Sequence, residues 1–131
     1  MNPNHIFVYG TLKKEHGANN IIQKISHYVD KAKIHGIMYD LGQYPGILED
    51  SKSYVYGEVY AMENKDTLQS TDKYEGFDPN DLENSLFIRK ITTAFYEDKS
   101  QIPVFAYFYN CDVKDNSKIP SGVWNKTLNF F

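Results

Sequence analysis

Residues 5–9, His-Ile-Phe-Val-Tyr, form an apolar run that halts at Gly10. A run this short, bounded by glycine, predicts a buried strand. Residues 53–62, "SYVYGEVYAM", alternate aromatic with small or polar side chains and predict a second strand. Gly57 inside it marks a bulge or a close backbone approach. Residues 28–40 are strand-like with breaks, and residues 85–96 and 103–109 are rich in strand formers. Helical spacing occurs twice. Residues 17–25 place Ile21, Ile22 and Ile25 on one face. Residues 63–74 follow a capping Asn64, carry Asp66 in the first turn, and put Leu68, Thr71 or Asp72, and Glu75 on one stripe. Gly42, Pro45 and Gly46 punctuate "LGQYPGILED" as a loop, "GFDPND" ends the second helix, and Trp124 anchors the tail after Pro120-Ser121-Gly122. About six strands and two short helices, with no repeat and no linker, predict an α+β fold. Its small mixed sheet curls into a barrel with short flanking helices, and residues 1–131 make a single domain.

Composition sharpens this picture. The chain has 131 residues, 41% hydrophobic and 15% aromatic, enough to bury a core. Eleven Tyr and eight Phe suit pleated, half-buried surfaces. The net charge is −3, Arg89 is the one arginine among 14 basic residues, and no basic cluster exceeds two neighbours, which argues against a nucleic-acid partner. No apolar run approaches a membrane span and no signal peptide opens the chain, so the expectation is a cytoplasmic protein without a membrane partner. A single cysteine, Cys111, rules out an internal disulfide framework.

Candidate chemistry is sparse. His5, His16, His27 and His35 show no metal-ligand spacing, Cys111 has no base marked beside it, and G-x-S-x-G is absent. The segment "GTLKKEHG" after the first strand lacks the G-K-[ST] ending of a phosphate loop. Successive backbone N–H groups after a strand can still cradle an anion, and Gly10 admits close approach; a plain tight turn is the alternative. Glu75 shares a helix face with Leu68 and lies between Tyr74 and Phe77. Burial and the helix C-terminus would both raise its pKa and make it a better base; a solvated carboxylate, or one paired with Lys73, is the alternative.

Taken in order, "VYGTLK", "YPGI", "YGEVY", "TDKYEGFD" and "FAYFYN", with "PSGVW" near the end, resemble the γ-glutamylcyclotransferase family over almost the whole chain. The resemblance implies a small barrel-like α+β domain. It also implies an enzyme that cyclises a γ-glutamyl group to 5-oxoproline and releases the attached amine, with no metal or organic cofactor. By motif, Tyr9, Gly10, Thr11 and Leu12 would bind the glutamyl moiety, Glu75 would be the catalytic acid/base, and Tyr109 would line the pocket. Two positions depart from the pattern. Phe87 stands where the family often has tyrosine, which removes one possible substrate hydrogen bond. Thr71 replaces a more usual aliphatic residue, a mild change in helix packing. The "YGTL" form and the short chain are more like the γ-glutamylamine branch. A non-catalytic module that binds γ-glutamyl or amino-acid-like molecules is the alternative.

Overall fold

A computed structural model of the protein describes residues 3–10, 26–64 and 66–124. Along the chain come β1 (His5–Val8), β2 (Ser26–His35), β3 (Ile37–Asp40), β4 (Pro45–Leu48), β5 (Tyr54–Met62), α1 (Asp66–Glu75), β6 (Phe87–Tyr96), β7 (Gln101–Tyr109), a 3-10 turn (Asp115–Ser117) and β8 (Lys118–Ile119). The expected helix over residues 17–25 lies outside the described residues.

Five strands close a barrel in the order β1-β5-β2-β6-β7. Its neighbours run antiparallel, apart from the parallel contact of Ile6 with Phe105 that joins β1 to β7. The barrel interior takes residues from every strand: Phe7, Ala32 and Ile34, Val55 and Val59, Ala94, and Val104, Ala106 and Phe108. Successive side chains of a strand point to opposite faces. Ile6, Val8, Phe105 and Tyr107 therefore form a second apolar layer outside the barrel, where Leu68 of α1 and Phe77 pack on it. Burial on both faces explains why "IFV" and "VFAYFY" are apolar without alternation. Of the bulge or close approach expected at Gly57, the close approach is what the structure has: a Cβ there would stand 2.2 Å from the Val8 carbonyl oxygen.

The chain crosses at Gly36 from the barrel into a smaller sheet ordered β4-β3-β8. The loop expected over residues 41–50 is corrected here, because its "PGIL" segment is β4, paired antiparallel with β3 from Ile37↔Leu48 to Asp40↔Pro45. Proline is tolerated there because it begins the strand, where its missing N–H interrupts no run of ladder bonds. Trp124 is 1% exposed and packs with the barrel interior, the anchoring role its sequence position suggested. Among the described residues, no helix is long and apolar enough to cross a membrane.

Candidate active site

Glu75 is set by the way α1 ends. The helix starts where the Asn64 side chain accepts the Asp66 amide at 2.8 Å. It stops at Gly76, whose φ of +69° is left-handed and suits glycine. The Phe77 amide then donates to the Asp72 carbonyl at 2.9 Å, and the Gly76 amide to the Lys73 carbonyl at 3.3 Å. These two bonds make a Schellman closure, which fixes Glu75 as the last helical residue and satisfies carbonyls that helix ends otherwise leave open. The Leu86 amide donates to the Gly76 carbonyl at 2.9 Å and ties this corner to the start of β6.

Glu75 keeps partial access to solvent, yet the protein crowded around its carboxyl desolvates the charged form and pushes its pKa up to about 8. Burial alone accounts for the shift. Among the described residues no cation pairs with Glu75, and Lys73 is exposed. Its charge reaches two tyrosines: burial and then that charge push the Tyr9 phenol up, while burial and the bond to Asp72, with Glu75 adding less, push up that of Tyr107. Tyr9 is 7% exposed and donates its hydroxyl proton to the Tyr107 carbonyl at 2.7 Å. Gly10 follows directly, and a Cβ there would stand 2.9 Å from the Pro45 ring, so the turn after β1 lies against the start of β4. The structure thus brings Tyr9 within electrostatic range of Glu75, with Gly10 next to it in the chain. Thr11 and Leu12 lie outside the described residues. Tyr109 is half-buried two residues past Tyr107 on the same face of β7, with its ring 5.5 Å from Phe87 and Tyr44 beyond.

Four residues missing from the sequence-derived site crowd the same place. Arg89 and Tyr107 stand opposite each other on β6 and β7. Arg89 pairs with one oxygen of Asp72, and the Tyr107 hydroxyl donates to the other. Thr71, fully buried, lies 2.7 Å from the Tyr107 hydroxyl, so its role goes beyond helix packing. Two signals for this cluster were local: Asp72 is one turn before Glu75, and Arg89 is the one arginine in a lysine-rich chain. Among the described residues, no group of three or more His, Cys, Asp or Glu is placed to hold a metal ion.

The sequence model described as "Gamma-glutamyl cyclotransferase, AIG2-like" matches residues 6–126. A Niallia circulans protein named gamma-L-glutamyl-butirosin B gamma-glutamyl cyclotransferase is 35% identical over 110 residues, covering 82% of this chain and 68% of the relative. The fold matches that of a mouse AIG2-like protein with a TM-score of 0.73 at 17% identity, over 95% of this chain and 90% of the other. It also matches YkqA of Bacillus subtilis with a TM-score of 0.71 at 24% identity, over 95% of this chain but only 40% of that longer one.

Proposed function

Because the chain belongs to the gamma-glutamyl cyclotransferase, AIG2-like family, we propose that it cyclises the γ-glutamyl group of a small γ-glutamyl amine to 5-oxoproline, with Glu75 as the one proton carrier. The observation that carries this reading is a desolvated carboxyl with a pKa near 8 and no cation paired to it among the described residues, within electrostatic range of Tyr9. A base works best when its pKa lies near the working pH.

The substrate itself supplies a cation. Its α-ammonium, entering beside Glu75, favours the carboxylate and then yields a proton to it. The freed amine attacks its own γ-carbonyl carbon, and the carbonyl electron pair moves to oxygen. When that oxyanion collapses, the bond to the leaving nitrogen breaks and Glu75 delivers its proton there. The ring nitrogen gives up its second proton as the amine departs as an ammonium ion, so charge and protons balance and Glu75 ends as the carboxylate it began as. Backbone N–H groups of Gly10, Thr11 and Leu12 would hold the glutamyl carboxylate or the oxyanion. Tyr109 would flank the chain. Ring closure is intramolecular, so orientation alone can lower the barrier by about 7–11 kcal/mol, and no metal or organic cofactor is required.

The substrate named for the Niallia relative is gamma-L-glutamyl-butirosin B, and that name supports a γ-glutamylated small molecule as the substrate class here. The test is 5-oxoproline release from a panel of γ-glutamyl amines and γ-glutamyl amino acids by the wild-type chain and by Glu75→Gln. The variant should fold and bind but lose turnover; release that survives in it would overturn the assignment.

A further inference from the structure

We propose that Asp72 is a positioning residue of this site, acting through Tyr107 to hold the helix end that carries Glu75 against the strand that carries the Tyr9 anchor. The inference rests on the reading of Glu75 as the proton carrier.

Three observations support it. The first is the direction of the hydrogen bonds. An ionised carboxylate only accepts, so Tyr107 must spend its single proton on Asp72. Thr71 is then the donor in its 2.7 Å contact with Tyr107, and its approaches to the Thr67 and Leu68 carbonyls, at 3.2 and 3.3 Å, are secondary. With Arg89 on the other oxygen, the sequence Thr71 to Tyr107 to Asp72, closed by Arg89, has one consistent proton order. A charge-assisted chain with one arrangement holds its members in place better than one with several.

The second is that Tyr107 is where both halves of the site meet. Its carbonyl accepts the Tyr9 hydroxyl, and its ring takes the edge of Phe77 at 6.5 Å. Phe77 is the residue whose amide closes the helix on the Asp72 carbonyl. Asp72 therefore grips the end of α1 with its backbone and β7 with its side chain, and Glu75 lies between the two grips.

The third is that the clamp is braced from outside. The Arg89 guanidinium lies 5.3 Å from the Phe77 ring centre and 5.0 Å from that of Phe105, so its position does not depend on Asp72 alone. Among the described residues, the titratable groups that feel Glu75 are Tyr9 after β1 and Tyr107 of β7, while Asp72 on its own helix is balanced by Arg89 of β6.

The test uses the full chain with Asp72→Asn, Tyr107→Phe and the double variant, assayed well below their melting temperatures beside wild type and Glu75→Gln. Each single change should lower kcat by about 10- to 100-fold, as small misplacements at a reacting centre do. KM should move little, because the loss falls on an arrangement needed in the transition state and not on ground-state binding. The double variant should be no slower than the slower single one, since both act through one phenol. The acid limb of kcat/KM should shift to lower pH as loosened packing lets water reach Glu75. A Tyr107→Phe chain with wild-type kcat, or losses that multiply in the double variant, overturns the proposal. If Asp72→Asn does not fold, Thr71→Val takes its place with the same expectations. Release by Glu75→Gln would sink the reading beneath the proposal and the proposal with it. An inactive Glu75→Gln beside an unimpaired Tyr107→Phe would remove the positioning role alone.

Discussion

Tyr9, just past the first strand, gives its hydroxyl proton to the backbone carbonyl of Tyr107 in the last barrel strand, 2.7 Å away. This bond crosses the seam where the barrel closes. Tyr9→Phe removes the donor and keeps the ring, so it should cost about 0.5–1.5 kcal/mol of stability, the usual net worth of one such bond. Thermal melting would read the loss. KM for a γ-glutamyl amine should rise with it, because the turn at Gly10 loses its nearest fixed point.

The rate should follow the ionisation of Glu75. With the carboxyl pushed up to about 8, most of the free enzyme is protonated at neutral pH. Activity as kcat/KM should therefore climb with pH through an acid limb centred near 8, which reports the base of the free enzyme. A limb centred near 4.5 would contradict the desolvated site. The profile requires only initial rates of 5-oxoproline formation across a pH series.

Stability should respond in the opposite direction. Folding raises the Glu75 pKa from 4.5 to about 8, so between these values the folded chain keeps a proton that the unfolded chain has released. Stability falls as pH rises through that window, and the whole penalty is present above it. Glu75→Gln removes the titration while keeping the shape. The variant should match wild type near pH 4 and exceed it increasingly towards pH 8. The gain is capped at about 1–3 kcal/mol, and solvent access to the carboxyl places it at the low end. Denaturant melts at pH 4, 6 and 8 would show whether the gap widens.

Gly10→Val tests the turn. A Cβ at this position already stands 2.9 Å from the Pro45 ring, and proline is too rigid to give way cheaply. The branched side chain should push the turn off β4 and abolish measurable binding of a γ-glutamyl ligand by calorimetry. The barrel strands, whose pairing begins before Gly10, should keep their circular dichroism. Unchanged affinity in a folded Gly10→Val chain would remove the turn from the site.

Much of this architecture is legible in the residues. "IFVY" and "VFAYFY" read as strands, apolar throughout because both their faces are covered, and Gly57 reads as a bulge or a close approach because a strand interior rarely keeps glycine otherwise. Glu75 stands out locally, at a helix end among aromatic neighbours. β4 does not, because the glycine and proline of "YPGIL" mask a strand whose reason is tertiary: it pairs with β3 and lies under the turn after β1. The Asp72 cluster is hidden for a different reason. Thr71 and Asp72, Arg89, and Tyr107 come from three elements, and only the register of Arg89 with Tyr107 reveals that both reach one carboxylate.

The parallel contact of Ile6 with Phe105 also orders events in time. A chain made from its N-terminus produces β1 first, yet β1 gains its second neighbour only when β7 exists. Contacts this distant in sequence form late, since the loop between them must be closed before they repay it. Tyr9 is therefore made well before its partner, and a nascent chain that has not reached Tyr107 lacks the carbonyl that holds the Tyr9 hydroxyl.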